Sequence, residues 1–231
     1  MKNFILRETA AYEGATLEGL LGYTADRFLA KYPQVESVLI SADEVPFATV
    51  TKATAAGFAD SDLVLRAARG EVAVASLEVD RTGVLVHESG LRGLHLLKLS
   101  GSSFAGFVRD EYTTLPEAHD RALFTYIDTA WRYAEPKEQQ GENARSYVPA
   151  EQVRDLLCAV FHETENRSIQ HLIYEMGRRM LERFPALAQV RFEAQNRTWE
   201  TIVDGAGGRV YTDPRPPYGV IGLTLNRSDI S

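Results

Sequence analysis

The chain contains two segments that read alike, and this internal repeat constrains the fold more than any other sequence feature. The first segment, RFLAKYPQVESVLISADEVPFATV, begins at Arg27, and the second, RMLERFPALAQVRFEAQNRTWETI, begins at Arg179, an offset of 152 residues (179 − 27). Fixed-period self-similarity of this kind predicts two related halves. The matched pairs are Leu29 and Leu181, Tyr32 and Phe184, Pro33 and Pro185, Val38 and Val190, Ala42 and Ala194, and Phe47 and Trp199.

The second half reads as strand, strand, helix, helix, strand, strand. Apolar residues at helical spacing predict one helix starting near Pro149 and another behind Ser168, a favourable N-cap residue. Residues 190–194 then alternate apolar and polar, as in a strand with one covered face. Strands are also predicted at residues 83–87, 94–98 and 104–131, which are rich in β-forming residues. The two helix faces comprise Val153, Leu156, Leu157, Val160 and Phe161, and Ile169, Leu172, Ile173, Met176 and Met180.

The first half predicts a helix behind Thr16, a shorter partner helix at residues 3–12, and strands near residues 37–41 and 71–79. Counterparts of the second half's opening strands would fall at about −68 to −21 (84 − 152 and 131 − 152) and are absent. Either the first half is a degenerate copy, or the chain begins inside a longer protein. We favour the second, because a helix pair without its sheet leaves an apolar face uncovered. The expected domains are a partial one at 1–80 and a complete one at 81–231.

Composition narrows the class of protein. With 231 residues, 45% hydrophobic and 25% charged, the chain is predicted to be globular. The formal charge of −7 argues against a general nucleic-acid or membrane-surface role, because such partners need a basic face. A single cysteine, Cys158, fits a reducing compartment, and no apolar run approaches the roughly 18 residues that a membrane span needs. We therefore expect a cytoplasmic protein without membrane or nucleic-acid partners.

Three motifs carry a family resemblance. They are FAGFVRDEYTTLPEAHDR at residues 104–121, followed by Trp131, then SIQ at 168–170, and QNRTWE at 195–200. In this order and spacing the chain resembles the cofactor-independent urate oxidases, from Lys2 onward. The resemblance implies an α+β fold of tandem T-fold domains, each an antiparallel sheet with a helix pair on one face, the first incomplete here. It also implies homotetramers with sites between subunits.

The implied reaction is the oxidation of urate by O2 and water to 5-hydroxyisourate and hydrogen peroxide, in purine degradation, without metal or organic cofactor. The sequence is compatible with this expectation, since it contains no HExxH, paired CxxC or Gly-rich phosphate loop. Its five histidines are scattered singly, which is more typical of surface or core residues than of metal ligands.

Two residues at the ends of the central motif are expected to hold the purine. Phe104 aligns with the family's phenylalanine that stacks on the urate ring, and Arg121 aligns with the arginine that binds urate. A guanidinium offers two parallel donors in one plane, which a lysine does not. From the residues alone, an ordinary core strand residue is the favoured interpretation of Phe104. For Arg121, a surface ion pair with Asp120 or Asp110 fits equally well.

The remaining expected site residues come from the second and third motifs. Gln170 aligns with the glutamine that pairs with the opposite purine edge, and Ile169 would contribute its backbone N–H in the first helical turn, where anions are favoured. Without the resemblance, Gln170 is a plain first-turn residue. Asn196 aligns with the asparagine of the O2 or water site. Thr198 replaces a histidine that many members use for proton relay, and its hydroxyl orients water but does not titrate near neutrality.

The resemblance also implies a lysine and threonine that deprotonate urate. The family places this pair just ahead of the segment that aligns with MKN, so it falls outside residues 1–231 and Lys2 does not replace it. Two alternatives to a urate oxidase stay open. One is a non-catalytic T-fold protein that binds a purine or only forms an oligomer. The other, a different T-fold enzyme acting on pterins or purines, would need a zinc or glutamate anchor that is not clearly placed.

Overall fold

A computed structural model describes residues 1–68, 70–141, 145–205, 208–217 and 219–230. Within these residues four α-helices are formed: α1 (Lys2–Ala11), α2 (Leu17–Lys31), α3 (Ala150–Glu163) and α4 (Ile169–Arg183). Short 3-10 helices lie at Pro136–Gln140 and Arg227–Asp229. The strands are β1 (Ser37–Asp43), β2 (Phe47–Thr54), β3 (Gly57–Ala67), β4 (Val72–Asp80), β5 (Gly83–Lys98), β6 (Leu123–Tyr133), β7 (Leu187–Arg197), β8 (Thr201–Gly205), β9 (Gly208–Tyr211) and β10 (Ile221–Asn226).

Six strands form one antiparallel sheet in the order β1-β4-β5-β6-β7-β10. The hairpins β2-β3 and β8-β9 stand apart from it as two-stranded sheets. The larger core lies between β5, β6, β7 and the helices α3 and α4, and a smaller one lies under α2. This arrangement is the α+β class predicted from the sequence, with helices on one face of an antiparallel sheet.

The helices α2 and α4 each begin directly after a residue whose side chain caps the first turn. The Thr16 side chain accepts a hydrogen bond from the N–H of Gly19 (3.1 Å), and Ser168 accepts one from His171 (3.1 Å). Each bond satisfies a first-turn N–H that has no partner within its helix. The predicted apolar stripes of α3 and α4 are the faces that pack on the sheet, with Val153 and Leu172 fully buried.

The repeat is visible in the backbone. Both ends of α4 lie 152 residues after those of α2 (169 − 17 and 183 − 31). At the end of each of these two helices, one arginine also binds three carbonyls that correspond at the same offset. Arg81 donates to Leu29, Tyr32 and Val35 at 2.8–3.3 Å, and Arg227 donates to Leu181, Phe184 and Leu187 at 2.8–2.9 Å. The ends of α2 and α4 are therefore held by the same arginine–carbonyl hydrogen bonds, which confirms two related halves. The first begins with helix α1, and the second with strands β5 and β6.

The opposite face of the sheet carries polar and charged side chains. Along β6, the residues that point away from the helices are half-buried or exposed, in strict alternation with buried ones. Across this face, Glu88 lies between Arg132 (3.5 Å) and Arg191 (2.9 Å). One face of the sheet thus forms the core while the other remains hydrophilic.

Two sequence expectations about strands are wrong. Residues 104–131 do not form one strand, because the strand β6 begins only at Leu123 and residues 104–122 form a loop. That segment contains Gly106 and Pro116 and lacks a continuous apolar alternation, so it offers no face to the core. The strands predicted at 83–87 and 94–98 are one long strand, β5, with an irregularity between Leu91 and Leu94. In the part of the chain that is described, no helix is long and apolar enough to cross a membrane.

Candidate active site

The loop between β5 and β6 carries the central motif and is closed at its base by backbone pairing. Phe104 and Ala118 exchange both backbone hydrogen bonds (2.7 and 2.9 Å), and the N–H of Arg121 donates to the carbonyl of Ser102 (2.8 Å). The tip is a turn in which the Asp110 carboxylate accepts from the Tyr112 N–H (3.0 Å) and the Thr113 hydroxyl (2.8 Å). Polar residues of the motif therefore shape the loop, and its two ends meet.

Phe104 and Arg121 are brought together at the loop base. The Cζ atom of Arg121 lies 5.3 Å from the centroid of the Phe104 ring, within cation–π range. Phe104 also stacks on Phe107, with ring centroids 4.6 Å apart. The Phe104 side chain is half-buried rather than a core strand residue, so the alternative considered from sequence does not hold.

The guanidinium of Arg121 is half-buried, and burial lowers the pKa of this group from its ordinary value. Its Nε atom is buried and has no hydrogen-bond partner among the described residues. The carboxylates considered as ion-pair partners are bound elsewhere: Asp120 accepts from Ser100 (2.9 Å) and Gly101 (2.8 Å), and Asp110 is held in the loop tip. Since leaving a buried polar group unpaired costs about 1–3 kcal/mol, Arg121 is a group that would gain from a ligand.

The end of β7 supplies two further expected residues. Asn196 pairs with Thr125 of β6, on the side of β7 that carries the buried Phe192 and Ala194. Thr198 follows the strand, and its carbonyl accepts from the N–H of Arg215 (2.7 Å). Because successive side chains of a strand point to opposite faces, Asn196 lies on the helix side of the sheet.

Phe104, Arg121, Asn196 and Thr198 line one cavity of about 450 Å³. The cavity wall also includes Trp199, and Trp199 contacts Phe124 and Tyr211 with ring centroids 5.8 and 4.8 Å apart. Among the described residues that line it, the charged ones are Arg121, Arg197 and Arg209 and one carboxylate, Asp120. The cavity is therefore positive in a chain whose formal charge is −7, which favours an anionic ligand.

Neither Ile169 nor Gln170 lines this cavity. Ile169 is the first residue of α4 and is buried, whereas the side chain of Gln170 is exposed. The segment before α4 nonetheless contacts the loop, because Asn166 accepts from the N–H of Ser103 (2.7 Å) and donates to the carbonyl of Gly101 (3.2 Å). The start of α4 is thus tied to the base of the loop, while Gln170 lies outside the wall of the cavity.

Sequence reasoning missed Trp199, Tyr211 and Asn166. Trp199 lies inside the quoted QNRTWE motif, and an aromatic residue directly after the site residues was the available signal. Tyr211 reaches the cavity only through the β8-β9 hairpin, which pairs Thr201 with Tyr211. Among the described residues, no group of three or more His, Cys, Asp or Glu side chains is placed to hold a metal ion.

Comparison with known proteins identifies relatives. The family model described as Uricase matches residues 87–222. A uric acid degradation bifunctional protein of Bacillus sp. (strain TB-90) is 48% identical over 238 residues, covering 100% of this chain and 47% of that protein. A uricase of Halalkalicoccus jeotgali is 44% identical over 236 residues, covering 100% of this chain and 77% of that protein. The crystal structure of a uricase from Bacillus fastidious superposes with a TM-score of 0.92 at 46% identity, covering 99% of this chain and 73% of that one.

The similarity to that structure confirms the tandem T-fold architecture. The chain spans about half the length of the bifunctional bacterial relatives that it matches.

Proposed function

The chain belongs to the uricase family, and on this premise we propose that it takes part in the oxidation of urate in purine degradation. The reaction consumes urate, O2 and water and yields 5-hydroxyisourate and hydrogen peroxide. In this balance urate loses two electrons to O2, while water supplies the hydroxyl of the product. The chain would supply the groups that hold the purine and the O2.

One observation carries the proposal: a positive cavity with an aromatic ring beside a buried, unpaired arginine donor. Urate is flat, anionic and polar along its edges. The Phe104 ring offers a stacking surface, and stacking contributes about 0.5–1.5 kcal/mol beyond area burial. The Arg121 guanidinium beside it offers parallel N–H donors, and its Nε atom lacks a partner within the described structure. An anionic, planar ligand with adjacent acceptors matches both features.

We propose that the opposite edge of the purine is held at the start of α4. The exposed Gln170 side chain offers a carboxamide, and the first turn of this helix carries unpaired N–H groups and the positive end of its dipole. The N–H of Ile169 would bind an oxygen of urate there. Because Gln170 lies outside the wall of the cavity, this contact requires that the ligand extend from the cavity toward α4.

The oxidation step is assigned to the end of β7. We propose that the Asn196 carboxamide holds O2 or water over the purine ring, and that the hydroxyl of Thr198 orients water. A hydroxyl both donates and accepts a hydrogen bond without titrating near neutrality. Thr198 would therefore be one member of a chain of hydrogen-bonded waters, while another group accepts the proton of urate.

Assembly, location and cofactor use belong to the same proposal. We propose a homotetramer with sites between subunits, supported by the exposed apolar side chains of the β2-β3 hairpin, such as Phe58 (81% exposed) and Leu63 (89% exposed). The cytoplasmic location is proposed from the composition, and the reaction without metal or organic cofactor from the family resemblance. The division into domains at 1–80 and 81–231 belongs to the same proposal, and the two separate hydrophobic cores, one under α2 and one under α3 and α4, support it.

The test is an assay of the full natural protein for loss of urate absorbance with stoichiometric release of hydrogen peroxide. Binding of urate is measured separately without O2, by equilibrium dialysis, so that affinity is resolved from turnover. A folded oligomer that binds urate without oxidising it would favour a non-catalytic purine-binding protein. A folded protein that neither binds nor oxidises urate would remove the proposal altogether.

A further inference from the structure

Asn166 occupies a position where the loop of the central motif and the helix that carries Gln170 meet. It lies between α3 and α4, and its backbone N–H and carbonyl both bind the loop, at Gly101 (3.2 Å) and Ser103 (2.7 Å). The intervening residue, Ser102, forms an isolated bridge with Asn166 and accepts from the N–H of Arg121 (2.8 Å). One peptide segment therefore contacts Asn166 on one side and Arg121 on the other.

The side chain of Asn166 is not needed for these contacts. Both bonds to the loop come from its backbone, and the cap of α4 is provided by Ser168. Its backbone is not left-handed either, since no non-glycine residue of the described chain has a positive φ. The usual local reasons for an asparagine at a helix start or in a turn are thus accounted for by other groups.

The carboxamide is nevertheless fully buried and unsatisfied. Asn166 is 0% exposed, and neither Oδ1 nor Nδ2 has a hydrogen-bond partner in the described structure. Buried polar side-chain atoms are almost always paired, so an exception points to a partner that arrives in another state. In the ligand-free protein, an apolar side chain of similar size at this position would give a higher free energy of unfolding. Gln139 offers the contrast: it is 1% exposed, and its carboxamide donates to Ser89 (3.3 Å).

We propose that Asn166 is a positioning residue whose carboxamide gains its hydrogen bonds only when the purine site is occupied. Those bonds, direct or through one water, fix the loop that carries Phe104 and Arg121 against the start of α4. The two sides of the ligand site are then held at one spacing. This inference rests on the proposed function, because the ligand is taken to be urate.

The test compares Asn166→Leu with wild type in two measurements. The first is thermal unfolding without ligand, and the second is urate affinity without O2. We expect the midpoint of the free variant to equal or exceed that of wild type, because two unsatisfied groups are removed. The dissociation constant for urate should rise at least tenfold, and the urate-dependent increase in midpoint should shrink. Asn166→Ala removes the carboxamide without adding volume and gives the same two readings if the leucine does not fit.

Gln139→Leu is the matched control. Because its carboxamide is already paired, this variant should lose stability without ligand and keep wild-type urate affinity. If Asn166→Leu behaves like Gln139→Leu, with a lower midpoint and unchanged affinity, Asn166 is structural and the inference is wrong. If wild type itself does not bind urate, the proposed function falls, and this inference with it.

Discussion

The Arg121 guanidinium lies over the Phe104 ring, with Cζ 5.3 Å from the ring centroid, although a long loop separates the two residues in sequence. The contact depends on the paired base of the loop, where Phe104 bonds Ala118 and Arg121 bonds Ser102. The ring and the guanidinium are therefore presented to the cavity as a unit before any ligand is present. Preorganisation of this kind lowers the ordering cost of binding.

Arg121→Lys should weaken urate binding at least tenfold, equivalent to about 1.4 kcal/mol, because an ammonium cannot supply two parallel donors in one plane. Equilibrium dialysis without O2 gives the dissociation constant. Arg109→Lys is the control, since Arg109 lies over the Phe107 ring (5.4 Å) on the same loop but away from the cavity wall. Equal affinities of wild type and Arg121→Lys would exclude Arg121 from the site.

Gln170→Ala should reduce urate affinity by about 1–3 kcal/mol, because it leaves polar atoms of the bound purine without partners. The dissociation constant is measured as for Arg121. Gln152→Ala removes another exposed glutamine, on α3, and should leave affinity unchanged. An effect of the same size in both variants would show that the loss comes from the helices in general rather than from the purine edge.

Thr198→Val should lower kcat about tenfold or more and change the urate dissociation constant little, because it removes a hydroxyl that orients water but no proposed purine contact. Steady-state peroxide release and anaerobic binding separate the two quantities. Thr224→Val alters an exposed threonine of β10, outside the cavity wall, and should keep kcat. A fall in affinity with unchanged kcat would contradict the role given to Thr198.

Glu18 makes stability depend on pH. Its side chain is 6% exposed and accepts from Ser89 (2.7 Å) and Tyr147 (2.9 Å), and burial raises the pKa of this carboxyl above its ordinary value of 4.5. The folded state thus binds the proton more tightly than the unfolded state. The stabilisation is fully present below about pH 4.5 and is lost as pH rises through the raised pKa.

Glu18→Gln should remove this contribution to the pH dependence, because an amide does not ionise. Denaturant unfolding between pH 4.5 and 8 should show the variant gaining stability relative to wild type as pH rises. Glu44→Gln, at an exposed position, serves as the control and should leave the wild-type slope. A constant difference between Glu18→Gln and wild type across this range would contradict the prediction.

Arg81→Gln and Arg227→Gln should each lower the free energy of unfolding by about 1–2 kcal/mol, because each loses charge-assisted bonds to carbonyls at a helix end, four for Arg81 and three for Arg227. Urea titration gives the values. Arg66→Gln, an exposed arginine with one long contact to Ala67 (3.5 Å), should change stability by less than about 0.5 kcal/mol. Unequal losses at the two sites would indicate that the two halves differ in how firmly their helices are held.

The sequence was most informative where a pattern is local. The helices α2, α3 and α4, their caps at Thr16 and Ser168, and the offset of 152 residues follow from spacing and side-chain chemistry within a few turns. The pair Phe104 and Arg121 was recognised from a motif, and the structure places both on one cavity wall. The loop between them has the aromatic and threonine content of a strand, but composition does not report strand pairing, so the strand prediction is wrong there.

The sequence by itself determined two related halves, the helix faces and the family to which the chain belongs. Only the tertiary structure decided which polar groups are buried and paired, because burial depends on contacts between residues far apart in the chain. In the folded chain Arg121 hydrogen-bonds Ser102 and Asn166 hydrogen-bonds Ser103. The buried Glu18 accepts a hydrogen bond from Tyr147, whereas Gln170 is exposed. No local pattern encodes these outcomes, since each depends on how segments that are far apart in the sequence pack together.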